Sequence, residues 1–420
     1  MSGHGTLHVL RNKNFARLFA AGATSIAGFS IGQVALTIVV YNNTGGSALD
    51  ISYIGVSFTV ASVLFSLLAG VMVDRYERRI LMVISDLIRA TSLVVLIVYL
   101  IVFGFSLAVV LGVAFVLGSF TTLFQPAERA LTPSVVGQEE IANANALVQT
   151  SNSMLQFSAS AVGGVIAVVA GVLVAFGLNA ATFLVSATLI AGVGGFAKKG
   201  AQAQDESQRR SMLQDLREGF SYIASNRGLL WLTISAGAGN FFLSMALQFF
   251  INYAEGPLHG NGATYGVITG LFALGWAPGA YASTRLRTAR YAGLTWIVVG
   301  IFVGGCLAGM YLLPYLVPVL ILAFGAGTGL GMGVTTWLTA VQLIVPTEMQ
   351  GRYFGLDQLG SFAVIPLGQL LGGVLITATS VNFDYLVAGI GTAASAGVFL
   401  LSPSLRNLGW KQEIKRQVEA

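Results

Sequence analysis

Charge is scarce in this chain and cysteine almost absent. Of its 420 residues only 9% are Asp, Glu, Lys or Arg, with one cysteine and three histidines. Soluble domains carry about 25% charge, so a single water-soluble globule is excluded. The lone Cys306 rules out an intrachain disulfide and any cysteine-built metal site. Lying inside an apolar stretch, it reads as a small buried apolar side chain. His4, His8 and His259 are scattered, so there is no His-Glu-x-x-His zinc site. The Gly-x-x-x-x-Gly-Lys loop that cradles phosphates is also missing, which argues against ATP as the direct energy source. A Ser/His hydrolase would need a histidine within the membrane, and the sequence offers none. No catalytic residue, metal or cofactor is expected.

What the chain does have is apolar length. Hydrophobic residues make up 55% and mean hydropathy is +0.78. Twelve apolar stretches run approximately over 15–41, 51–73, 80–102, 106–125, 144–168, 171–195, 229–252, 264–284, 291–313, 316–345, 354–379 and 383–402. A helix needs about 20 such residues to cross a hydrocarbon core of about 30 Å. With twelve spans, all 22 Lys and Arg residues can sit on one side, while the opposite loops carry only Asp50, Glu255, Asp384 and His259. Lys/Arg bias in short loops sets orientation, so both termini are expected in the cytoplasm of a cell-membrane protein. The net charge of +5 and pI near 9.3 then reflect basic loops at an anionic leaflet, not nucleic-acid binding. The basic start (Arg11, Lys13, Arg17) precedes an apolar run too long for a cleavable signal, and a retained first helix is expected.

One long polar loop breaks the pattern of tight connections. It divides the chain into a first six-span bundle (1–195), a linker (196–228) and a second six-span bundle with a tail (229–420). Ser211 and Gln214 in the linker form a capping-box pattern. Leu213, Leu216, Phe220 and Ile223 follow at helical spacing, which predicts an amphipathic helix on the membrane surface. The two halves look alike. Gly163-Gly164 and Gly372-Gly373 stand at the same offset as Gln149 and Gln358, and as Gly70 and Gly279. Pro126-Ala127-Glu128 and Pro346-Thr347-Glu348 open corresponding loops. Two parallel repeats place a substrate site between them near the midplane. Most of the 52 glycines read as helix contact points.

The second span ends Gly70-Val-Met-Val-Asp74-Arg75-Tyr-Glu77-Arg78-Arg79. That string resembles the loop-2/3 signature of the major facilitator superfamily, with a weakened counterpart at Gly279, Arg285, Arg287 and Arg290. The Asp-Arg-x-x-Arg-Arg form is similar to the branch containing enterobactin exporters and macrolide-efflux proteins. So are Asp86-Leu-Ile-Arg89-Ala, Ala142-Asn-Ala-Asn145-Ala-Leu and Arg217-Glu-Gly-Phe220. The resemblance implies an all-α integral membrane fold of twelve transmembrane helices in two pseudo-symmetric six-helix bundles. It further implies a conformational latch of Gly70, Asp74, Arg75, Arg78 and Arg79, with Glu128 and Asp357 as partners. The family's span-five Gly-Pro-x-x-Gly-Gly signature is degenerate here, reading Ala159-Ser160-Ala-Val-Gly163-Gly164.

Several spans carry neutral polar stripes, which should face protein or a wet cavity because lipid cannot satisfy them. The family lines its cavity with spans one, four, seven and ten, which selects Gln33, Ser119, Asn240, Gln248 and Gln342; Gln156 joins them from the span-five stripe. No carboxylate, Lys or Arg is expected near the middle of a span, and such groups usually mark ion pathways. That leaves Asp86, Glu255 and Asp357 as peripheral candidates for a coupling proton. The expected function is a secondary exporter of an amphiphilic drug-like or siderophore-like molecule, working as a monomer by alternating access, with protons as the coupling ion. An uptake carrier and a transporter-like sensor without flux are the alternatives.

Overall fold

A computed structural model describes residues 6–136, 140–194, 224–346 and 360–397, together with 221, 353, 357, 400, 403–406 and 408–409. Side chains at 67, 70, 71, 74, 75, 142, 143, 145, 146, 149, 150 and 153 lie outside that description. So do Ser211, Leu213, Gln214, Leu216, Phe220 and Ile223 of the linker. The described residues form no strand and twelve long helices. They are α1 (Lys13–Asn43), α2 (Ala48–Arg75), α3 (Arg78–Val102), α4 (Leu107–Val135), α5 (Ile141–Val169) and α6 (Val172–Ala191). Then come α7 (Arg227–Leu247), α8 (Gly262–Leu286), α9 (Ala292–Leu312), α10 (Leu316–Ile344), α11 (Ile365–Ala378) and α12 (Val381–Gly397). A short helix, Phe250–Glu255, extends α7. Nine of the described spans are long and apolar enough to cross a membrane by composition.

Local chemistry sets the ends. Asn12 caps α1 by accepting from the backbone N–H groups of Asn14 (3.0 Å) and Phe15 (3.2 Å), and Asn226 caps α7 by accepting from those of Gly228 and Leu229. Ser47 caps α2 through the Asp50 N–H. The turn between α1 and α2 needs two left-handed residues, and Gly45 (φ +62°) and Gly46 (φ +79°) supply them without a Cβ penalty.

The chain divides into two compact units, 1–204 with 260–270, and 205–259 with 271–420. Their internal packing repeats. In the first unit α1 packs on α5 and α6, and α3 packs on α4 and α6. In the second, α7 packs on α11 and α12, and α9 packs on α10 and α12. Glycine keeps these approaches close. A Cβ on Gly163 of α5 would sit 2.9 Å from the Ile31 Cα of α1; one on Gly372 of α11 would sit 3.1 Å from the Met245 Cα of α7. Gly275 and Gly279 of α8 lie against Phe324 and Thr328, while Gly327 and Gly331 of α10 lie against Phe272 and Trp276. Small residues four apart on both helices let the backbones touch.

α3 shows which solvent the fold expects. Its inner face carries Ser85, Asp86 and Arg89, all buried, whereas Val94, Val98 and Ile101 are exposed by 47%, 54% and 66%. Charge inside and large apolar residues outside is the reverse of a water-soluble helix, and fits hydrocarbon around the bundle.

Candidate transport site

The basic string turns out to be two helix ends. Asp74 and Arg75 close α2, Tyr76 and Glu77 make the turn, and Arg78 and Arg79 open α3. The side chains of Gly70, Asp74 and Arg75 lie outside the described residues, but those of Arg78 and Arg79 can be followed. A cation at a helix N-terminus faces the wrong end of the dipole. Both arginines instead reach the carbonyl-rich ends of neighbouring helices. Arg78 Nη1 donates to the Ala130 carbonyl in the last turns of α4 (2.8 Å), and Arg79 Nη1 donates to the Val193 carbonyl just past α6 (3.1 Å). Arg79 also pairs with Glu77 at 3.1 Å. Arg17 joins at the same α6 end by donating to Gly192, and Asn14 Nδ2 donates to Gly194 at 2.8 Å. The arginines thus tie α1, α3, α4 and α6 together within the first unit.

Of the two named latch partners, Glu128 is half-buried and Asp357 buried. Glu128 turns its carboxylate toward α1 at Gly22, where a Cβ would collide with Oε1. Asp357 is only 3% exposed and accepts from Thr233 Oγ1 of α7 at 2.9 Å.

The polar stripes differ in what they do. Asn240 Nδ2 donates to the Ser361 carbonyl at 2.9 Å, and Gln248 Oε1 accepts from Gln369 Nε2 at 3.3 Å. Both therefore bind residues in and just before α11 of their own unit. Ser119 is buried and donates back to Phe115 O of its own helix at 2.9 Å. Gln33 is half-buried on α1, while Gln156 on α5 and Gln342 on α10 are exposed. Asn240 also borders a pocket of about 50 Å³ in the second unit, shared with Ser235, Trp296, Leu330 and Thr392. Drug-sized ligands occupy about 300–1,000 Å³, so that pocket alone is too small for one.

Sequence reasoning missed the charged interior. Asp86 and Arg89 lie well inside α3, at 0% and 2% exposure, and form an ion pair. This corrects the expectation that no charge is found near the middle of a span. Arg89 donates to Ser25 Oγ of α1 at 3.3 Å and approaches Thr121 Oγ1 of α4 at 3.5 Å. Its guanidinium carbon lies 4.7 Å from the Phe124 ring centre and 4.3 Å from that of Phe183. An aromatic face attracts a cation most when both are desolvated. Asp384, expected in a loop, is instead fully buried in the first turn of α12, where the helix dipole favours an anion.

Two long all-helical units with repeated packing and an arginine-rich turn after the second helix meet a known pattern. The Major Facilitator Superfamily model matches residues 18–369. The chain belongs to that superfamily. Among its superfamily relatives, the Multidrug efflux pump Tap of Mycolicibacterium fortuitum is 26% identical, over 93% of this chain and 96% of that protein. Macrolide efflux protein A of Streptococcus pyogenes is 24% identical over 94% and 98%. In fold, a solved nucleoside transporter, NupG, superimposes with a TM-score of 0.77 at 12% identity, over 92% of this chain and 99% of that one. The branch resemblance read from Asp74-Arg75-x-x-Arg78-Arg79 and Asp86-Leu-Ile-Arg89 is thereby supported, and the protein is a multi-pass membrane transporter of the major facilitator type.

Proposed function

We propose that the protein is a secondary exporter of amphiphilic small molecules, driven by protons through alternating access, in the cell membrane with both termini cytoplasmic. The observation that carries the reading is the end-to-end match to efflux proteins of the superfamily, over more than nine-tenths of this chain. The composition is consistent with it. Among the described residues, the proposed cavity set Gln33, Ser119, Gln156, Asn240, Gln248 and Gln342 is neutral, which suits a bulky, weakly polar cargo better than a phosphate. In this reading residues 1–195 and 229–420 are the two moving bundles and 196–228 the cytoplasmic linker. Asp74, Arg75, Arg78 and Arg79, with Gly70, Glu128 and Asp357, form the latch that is intact in one state and broken in the other. Solvated pairs contribute about 1 kcal/mol or less each, so such a latch works as a set.

The test is accumulation of labelled amphiphiles in inverted vesicles, screened over ethidium, erythromycin and a ferric siderophore. Uphill uptake of at least one, absent from vesicles without the protein, is expected. Binding of a probe to the purified protein without any flux would replace the exporter with a sensor. Accumulation only in right-side-out vesicles would make it an uptake carrier.

A further inference from the structure

The second unit carries the counterpart of the basic string, and it is built differently. In the first unit Arg78 and Arg79 are taken up by the protein itself, at the Ala130 and Val193 carbonyls and at Glu77. The turn from α8 to α9 holds Arg285 and Arg287, and both are exposed. Arg287 stands at the offset from Arg78 that relates Gly279 to Gly70. No acid is near them in the chain, since the sequence has neither Asp nor Glu between Glu255 and Glu348. Among the described residues neither arginine pairs with a carboxylate. Arg285 Nε donates to the Tyr281 hydroxyl at 2.8 Å, with the guanidinium carbon 5.2 Å from that ring's centre. Tyr281 thus occupies Nε and one face of the guanidinium, which leaves both Nη groups for an acceptor from outside the protein.

The protein fixes this turn from within. Arg287 adopts the left-handed region (φ +52°), which residues with a Cβ seldom enter. Ser283 and Thr288, on either side of it, join their hydroxyls to that of Thr336 on α10 at 2.5–3.0 Å, and all three are buried. The Arg287 N–H donates to the Thr284 carbonyl and the Arg290 N–H to the Arg287 carbonyl. The surface beside the two guanidiniums is aromatic and apolar, with Tyr281, Leu286 and Tyr291 60–68% exposed. From Tyr291 the exposed side chains continue along α9 as Leu294, Val298 and Phe302, at spacings of three and four, so they form one stripe. That stripe covers about 16 Å of helix rise, the depth of about one leaflet of a 30 Å hydrocarbon core. Cations at one end, tyrosines beside them and an apolar strip beyond match the headgroup, interface and acyl chain of a lipid in that order.

We infer that the α8–α9 turn is a binding site for an anionic phospholipid. The Arg285 and Arg287 guanidiniums hold its phosphate group, and an acyl chain lies along the α9 stripe from Tyr291 to Phe302. A guanidinium fork matches phosphate oxygens two at a time, which a point charge does not. Two cations without a carboxylate select a lipid of net negative charge over a zwitterionic one, whose ammonium group meets no acid there. The site depends on neither the cargo nor proton coupling; only its assignment to the inner leaflet rests on the topology proposed above.

Native mass spectrometry of the purified full chain in neutral detergent, titrated with dioleoyl phosphatidylglycerol or dioleoyl phosphatidylcholine, tests the site. The wild type should retain a phosphatidylglycerol in preference to phosphatidylcholine. Arg285→Gln/Arg287→Gln should weaken that binding by about tenfold or more. Arg11→Gln/Arg129→Gln removes the same charge from exposed arginines elsewhere and should leave it unchanged. Both double variants replace exposed side chains, and equal unfolding temperatures without lipid verify their folds. Inorganic phosphate should not displace the lipid, because it makes no use of the apolar stripe. Equal retention of the two lipids by the wild type, equal loss in the two double variants, or displacement by inorganic phosphate overturns the inference. Labelling of Thr284→Cys from outside intact cells, with lipid binding as expected, would instead overturn the topology and leave the site standing.

Discussion

Removing one partner of a buried ion pair should cost far more than removing both, and Asp86–Arg89 gives that rule a sharp form. The pair is 0% and 2% exposed, with Phe124 and Phe183 on the guanidinium and Ser25 as its neutral acceptor. In Arg89→Met the aromatic contacts survive on a flexible apolar chain, but the Asp86 carboxylate is left buried without its cation. Breaking such a pair costs about 3–5 kcal/mol, whereas replacing both charges by apolar groups of similar volume is often neutral. Asp86→Leu/Arg89→Met should therefore be more stable than either single variant. The single variants should also differ with pH. The deficit of Arg89→Met should shrink on acidification, because protonation removes the orphan charge. That of Asp86→Asn should not shrink, because a guanidinium stays charged across the accessible range. Reversible unfolding in mixed micelles, measured at neutral and acid pH for the three variants, gives the cycle. Additive losses, or equal pH behaviour of the two single variants, would refute the assignment of a buried, desolvated pair.

Other perturbations follow from the geometry. Gly331→Ala should destabilise by about 1–3 kcal/mol, since its Cβ meets the Trp276 backbone, while Gly305→Ala, with open space around it, should be neutral by the same unfolding assay. Asn240→Ala should lower stability by about 1 kcal/mol through the orphaned Ser361 carbonyl. If Asn240 also lines the cavity, substrate affinity falls as well, so binding and stability are measured on the same preparation. Asp74→Asn should impair flux much more than ligand binding at matched expression, and normal flux would remove the latch.

Much of this was legible in the sequence because hydrocarbon imposes a simple length rule. The positions of α1, α3, α4, α6, α9 and α10 follow from apolar runs alone. α5 and α12 are harder to read as spans. α5 is rich in Asn, Gln and Ser, and the described part of α12 is only 17 residues long. The arginine string was visible as a motif, but its bonding was not, since nothing local says that Arg78 and Arg79 serve the C-terminal ends of α4 and α6. Asp86 and Arg89 were noticed as a motif, with Asp86 a peripheral candidate, but their burial was missed for a related reason. They follow closely on a basic loop, so they looked like rim charges, although their i, i+3 spacing on the polar side of an otherwise apolar helix was a usable signal. Asp384 looked like loop because a lone acid ends an apolar run in sequence and begins a helix in space.

The central claim is that a proton gradient moves an amphiphile through this protein. Purified protein in sealed liposomes, loaded at one pH and diluted into another, tests it with ethidium and erythromycin as probes. Accumulation against the probe's own gradient, reversing in direction when the pH gradient is reversed and collapsing with a protonophore, is the predicted result. Probe entry that only equilibrates, at a rate unaffected by the size or sign of the pH gradient, would contradict it.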